Sequence, residues 1–249
     1  MKIVLKLSKL GGASNKRAFE QLVRELKMRV TCGYSFLLDG YKFKQALTKA
    51  KHSSLYLYTY KNDIVEVKKV PKGDYEQELE QEIAALRKSE GCKNVIEMIS
   101  AFDDELSLSL VRRHIPQATP LPQYLNLNRI HIQHNEGRIK RIMEQILEIL
   151  KNLNERGLYL RRVSPSDFKC VTDAYSKVTL YLYDLSHGEL TKSEEGCGEL
   201  LSVGTILFQL LTGKPFNKTL NLQLQLNPIM TLDSISQKCK QFLGLLLDP

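Results

Sequence analysis

The sequence has no CxxC pair, and its five cysteines (Cys32, Cys92, Cys170, Cys197 and Cys239) make an odd count. That argues against a disulfide framework or a structural zinc site and favours a reducing compartment. No stretch approaches the roughly 18 consecutive apolar residues of a membrane-spanning helix. The opening segment MKIVLKLSKLGG breaks its apolar residues with lysines, so it reads as an alternating strand and not as a signal-peptide core. Cytoplasm or nucleus is the expected location. Internal repeats and low-complexity tracts are missing, as are the GxSxG and HExxH patterns of serine hydrolases and zinc proteases.

What remains is ordinary globular composition, with 43% hydrophobic and 26% charged residues over a length of 249. Such a length accommodates two compact lobes or one large domain. The formal net charge is +8 and the isoelectric point about 9.1, which suits an acidic partner: a protein, RNA or an anionic membrane surface. No run of five basic residues occurs, so the cations also read as a solvated basic surface.

Residues 2–7 alternate as a short strand. Ser14 is placed to cap a helix over 17–30, with Phe19, Leu22, Val23, Leu26 and Val30 at helical spacing. From 41 to 70 the texture is that of strands. LYLYTY and IVEVKKV alternate on either side of a Lys61-Asn62-Asp63 turn. A helix is expected over 74–88, then strands in NVIEMISAF and LSLSLV, giving a sheet with one helix inserted after its third strand. The second half reads as mainly helical. The segment 138–156 carries Ile142, Ile146, Ile149, Leu150 and Leu153 on one stripe and stops at Gly157, a natural C-cap. Short strands follow in LYLRRV, FKCV and VTLYLYDL, then helices over 200–211 and 235–247. The stretch 121–129 is the most linker-like. His131 and His134 sit in a loop-like RIHIQHNEG with Glu136 nearby, which reads either as a metal-binding loop or as a solvated polar one.

Four segments in this order resemble the eukaryotic protein kinase family. VEVKKV followed by EQEIAAL is similar to the strand-3 lysine and its pairing glutamate, here Lys68 and Glu82. ILEILKNLNERGLYLRRVSPSDFKCV resembles the long helix that runs into the catalytic loop. VTLYLYDLSHG resembles the strand bearing the metal-binding aspartate, here Asp184. LLSVGTILFQLLTGKPF resembles the central helix of the large lobe, and CKQFLGLLLDP a later one. The resemblance implies an α+β, bilobal fold: an N-terminal extension over 1–38, a small β-rich lobe over 39–113 and a mainly helical lobe over 114–249. The family's large lobe ordinarily continues past this point, so a chain that is part of a longer protein is an open reading.

On that alignment the chemistry is degraded. Phosphoryl transfer needs a glycine-rich loop over the phosphates, a clamping lysine, magnesium ligands and an aspartate to orient the hydroxyl. Thr48, Ala50 and Ser53 fall at the three glycine positions. Leu160, Arg161 and Arg162 stand where the family has His-Arg-Asp, and an arginine cannot accept the hydroxyl proton. Loss of a general base typically costs about 10²–10⁴ in rate. Asp167 and Asp184 hold the two metal positions, either as residual magnesium ligands or as turn and surface residues. Lys68–Glu82 is either a phosphate clamp or a structural ion pair. Glu66 and Lys169 occupy positions where the family sandwiches adenine between apolar side chains, and neither charge would be buried there without a partner. We expect the two to pair and tie the lobes together. Leu86, Leu160 and Leu185 are expected to stack as a permanent apolar contact between the lobes. The sequence thus points to a pseudokinase without enzymatic activity or cofactor, serving as a protein-binding scaffold or allosteric module. The alternatives are a nucleotide-binding pseudokinase or weak Ser/Thr kinase that uses ATP and magnesium, and a basic module whose partner is RNA.

Overall fold

The computed structural model describes residues 40–49, 53–73, 75–103, 106–133, 135–189, 197–217 and 219–247. The strand expected over 2–7, the helix expected over 17–30, Ala50 and His134 lie outside them. The protein is mixed α+β. Strands β1 (Tyr41–Lys49), β2 (Ser54–Tyr60), β3 (Asp63–Pro71), β4 (Met98–Asp103) and β5 (Ser107–Arg113) form one antiparallel sheet in the order β1-β2-β3-β5-β4. Helix α1 (Glu76–Lys88) is inserted after the third strand, as the sequence pattern implies.

The β2–β3 hairpin is tighter than expected. Asp63 already pairs with Tyr60, leaving Lys61 (φ 47°) and Asn62 (φ 73°) as a two-residue loop with both φ positive. This is the backbone that matches the twist of the flanking strands. Period-two alternation then sorts β3 and β5. Val65, Val67 and Val111 face one side, where Tyr41, Tyr58, Tyr60 and Phe102 cover them. Glu66, Lys68 and Val70 face the other, opposite Arg112, Leu110 and Leu108 in register. Against that second face α1 lays Leu79, Ile83 and Leu86. Its first turn carries Glu76 and Glu78 and its last Arg87 and Lys88, each sign at the end of the helix dipole that favours it.

The rest of the chain is built on α4 (Glu136–Asn154), preceded by α2 (Leu121–Leu127) and α3 (Arg129–Gln133). Asn135 caps α4 by accepting from Arg138 N at 3.0 Å, and a stripe from Ile139 to Leu153 is buried. The helix closes in a Schellman arrangement. Leu158 N bonds Leu153 O at 3.1 Å and Gly157 N bonds Asn154 O at 2.9 Å, with Gly157 at φ 68°. Two small antiparallel sheets follow: β6 (Thr119–Pro120) with β8 (Phe168–Thr172) and β9 (Val178–Leu182), and β7 (Tyr159–Leu160) with β10 (Gly188–Glu189). Helices α5 (Cys197–Thr212), α6 (Leu222–Met230) and α7 (Gln237–Leu247) complete the described chain. Cys92, Cys170 and Cys239 are free.

Two expectations are corrected. The stretch 121–129 is not a linker: α2 starts there, with Pro122 in its first turn, where a missing N–H is harmless, and Leu121 wholly buried. His131 lies on α3 and not in a loop, because 129–133 is held helical between α2 and α4. Glu136 turns away from it, accepting from Ser236 N at 2.6 Å and Ser236 Oγ at 2.7 Å.

Candidate functional site

Where the five-stranded sheet meets β8 and the segment after β9, the inward face of β3 presents charge. Glu66 and Glu82 are fully buried and Arg112 is 4% exposed. Buried charges are tolerated only when paired and hydrogen-bonded, and these are. Lys68 Nζ meets Glu82 Oε2 at 2.5 Å. Arg112 Nη1 donates to Glu82 Oε1 at 3.2 Å and to the Tyr183 carbonyl at 3.0 Å. Glu66 Oε1 meets His114 Nδ1 at 2.8 Å and accepts from Lys169 Nζ at 3.4 Å. The expected Glu66–Lys169 contact therefore forms, within a larger network. Both the Arg112 guanidinium and the Lys169 ammonium lie over the Tyr183 ring, at 3.8 and 3.4 Å from its centroid, a cation–π arrangement that gains strength where water is excluded. Burial pushes the Lys169 amine below its ordinary value; Glu66 works against that and Arg112 adds to it. Glu66 Oε2, Arg112 Nε and the Tyr183 hydroxyl have no hydrogen-bond partner.

The two aspartates flank this network. Asp167 O accepts from Tyr183 N at 2.7 Å and from Asp184 N at 3.2 Å, so backbone bonds hold the two segments side by side. Asp167 Oδ2 accepts from Ser164 N at 2.7 Å, and Asp184 Oδ1 from Ser186 N at 2.9 Å. Each carboxylate thus closes a turn with one oxygen and keeps the other. Their electrostatics diverge. Burial raises the Asp167 carboxyl above the usual aspartate range against the Ser164 N–H bond, and the Asp184 charge adds to the rise. Burial acts on Asp184 too, but Lys68, the Ser186 N–H and Arg112 outweigh it and hold that carboxyl below its ordinary value. Lys68, Glu82, Asp167 and Asp184 are thereby brought into one neighbourhood.

The remaining predicted positions lie around it. Leu160 is buried in β7 and pairs with Gly188 in β10. Arg161 N bonds His187 O at 3.0 Å. The exposed Arg162 guanidinium reaches His187 Nε2 from Nε at 3.0 Å and from Nη2 at 2.9 Å. Thr48 is an exposed residue of β1 paired with Leu55, and Ser53 immediately precedes β2. Leu86, Leu160 and Leu185 are all buried in the same core cluster. Among the described residues no group of three or more His, Cys, Asp and Glu side chains is placed to hold a metal ion. Sequence reasoning missed Arg112, His114 and Tyr183. Arg112 had one readable signal: it is the charged residue at the end of the alternating run LSLSLV, opposite Glu66 once the strands are paired.

A magnesium nucleotide would need an apolar slot for its base, free donors for its phosphates and unencumbered carboxylates. Here Glu66 and Lys169, the residues that the sequence resemblance sets beside a base, are charged and engaged with each other. Each aspartate already spends one oxygen on a backbone N–H. The residues present fit that ligand poorly. No protein-family model matches the chain, and no curated protein matches it.

Proposed function

We propose that this chain is a degenerate protein-kinase-like domain, a pseudokinase of two lobes that acts as a protein-binding scaffold or allosteric module and not as a phosphotransferase. The observation that carries the reading is the closed network of Glu66, Lys169, Arg112 and Tyr183, which sets paired charge where an adenine base needs apolar walls. Three further features support it. The element order of three strands, a helix, two strands and a long buried helix matches the resemblance read from the sequence. Lys68 pairs with Glu82 as the family's lysine and glutamate do. Arg162, at the position of the catalytic aspartate, points its guanidinium at His187 and has no capacity to take a proton. With chemistry lost, the burial of Leu86, Leu160 and Leu185 in one core supports a single rigid arrangement suited to presenting a surface.

A thermal-unfolding series tests this, with magnesium ATP, magnesium alone and Lys68→Ala as control. A ligand that binds only the folded state at a hundred times its dissociation constant stabilises by about 2.7 kcal/mol. The proposal expects no shift at millimolar magnesium ATP. A magnesium-dependent rise that disappears in Lys68→Ala would overturn it in favour of a nucleotide-binding pseudokinase, whose ligands would be Lys68, Glu82, Asp167 and Asp184.

A further inference from the structure

Away from the charge network, a cleft of about 560 Å³ lies among α2, α4 and the turn joining β8 to β9. Its wall carries four cations and two carboxylates. Arg138 and Arg141, three residues apart on α4, share a helix face, and Lys177 approaches from the turn while Lys93 closes one side. Each of the two carboxylates on the wall has a lysine nearby. Glu148 lies 3.8 Å from Lys93 and Glu144 lies 3.7 Å from Lys140. Arg138, Arg141 and Lys177 enter no salt bridge among the described residues, and all three are exposed. Beside them stands Tyr175, 92% exposed.

An aromatic ring left in water normally sits on a loose loop. This one does not. Asp173 Oδ1 accepts from Tyr175 N at 2.9 Å and from Lys177 N at 2.8 Å. Asp173 N bonds Lys177 O at 3.0 Å, and Ser176 N bonds Asp173 O at 3.0 Å. The turn therefore holds the backbone of Tyr175 and Lys177 in place beside the arginines, so that binding has only their side chains to order.

We propose that this cleft binds single-stranded nucleic acid, with Arg138, Arg141 and Lys177 taking phosphates and Tyr175 stacking on one base. Unpaired cations beside an aromatic platform are the combination such strands need, because every base has a π-face and every residue a phosphate. An acidic peptide would satisfy the cations but make no use of the exposed ring. In a duplex the bases are already stacked, and the ring would have no face to meet.

The test is fluorescence polarisation with labelled oligouridylate and oligothymidylate of about ten nucleotides, and a labelled polyglutamate peptide of the same length. Titrations run between about 50 and 200 mM salt. Three phosphate contacts predict that the logarithm of the binding constant falls against that of salt with a slope of about −2. Arg138→Gln with Arg141→Gln should flatten that slope by about 1.4. Tyr175→Ala should weaken binding by about five- to a hundredfold with the slope unchanged, and Tyr175→Phe should keep the affinity. A preference between the two oligonucleotides supports the proposal and identifies which strand is the natural class. No binding at the lower salt overturns it. So does a neutral Tyr175→Ala, and polyglutamate binding as tightly as either oligonucleotide would assign the cleft to an acidic protein segment. Lys177→Gln is the second variant should the arginine pair alter the melting temperature.

Discussion

At Glu66 one buried carboxylate answers to three cationic or protonatable groups, Lys169, His114 and Arg112. Removing it leaves the part-buried Lys169 without its carboxylate and takes one of two from Arg112, which keeps Glu82. We expect Glu66→Ala to cost about 3–5 kcal/mol in urea unfolding, and Glu66→Gln, which keeps an acceptor, to cost less. The aspartates give opposite pH behaviour. Asp184 is held below its ordinary 3.8, so its stabilisation is present above that value and is lost as pH falls through the lowered one. Asp184→Asn should therefore flatten the acid limb of the melting-temperature profile. Asp167 is raised above 3.8, so ionising it opposes folding, and that penalty is relieved as pH falls through the raised value. Asp167→Asn should then cost less at about pH 7 than at about pH 4. Lys68, Glu82, Glu66 and Lys169 were singled out through the family resemblance, and the pairing of Glu66 with Lys169 was expected because a buried charge needs a partner. Arg112, His114 and Tyr183 were not, since their roles follow from strand register and from where the segment after β9 crosses the sheet.

Among the elements, α5 packs on α7 at Gly204, where an added Cβ would stand 2.8 Å from Leu246 Cβ. Gly204→Ala has to separate the two helices, and overpacking of this kind costs about 1–3 kcal/mol, measurable as a lower urea midpoint. At the start of α6, Asn221 Oδ1 accepts from Gln223 N at 2.9 Å and Leu224 N at 3.3 Å. Asn221→Ala should cost about 1 kcal/mol in the same assay. Elements with clean periodicity, β2, β3, α1 and α4, could be read directly. Helix α6 could not, because LNLQLQLNP alternates like a strand and carries Pro228. Helix α2 hid behind Pro120 and Pro122 at its start, and Leu121 is wholly buried there.

For the whole molecule, the sheet and the helical part share one core. Leu108, Leu110 and the buried face of α1 belong to the same cluster as Ile146, Leu153 and Leu182. Unfolding is expected to be a single cooperative transition, seen as coincident melting by near- and far-ultraviolet circular dichroism. The order of elements was legible along the chain, and so was one side-chain contact across the seam, Glu66–Lys169, whereas its main-chain bonds were not. Part of that seam is main chain: Ile96 N bonds Leu182 O at 2.9 Å, and Leu182 N bonds Asn94 O at 2.9 Å. A fastening made of peptide groups uses no side-chain atom, although the left-handed backbone of Asn94 (φ 61°) suits asparagine better than a branched residue. Apolar substitutions at Ile96 and Leu182 keep both N–H donors of this clasp, and proline at either position removes one, so the mutual pose of the two parts depends on main chain as well as on side chains.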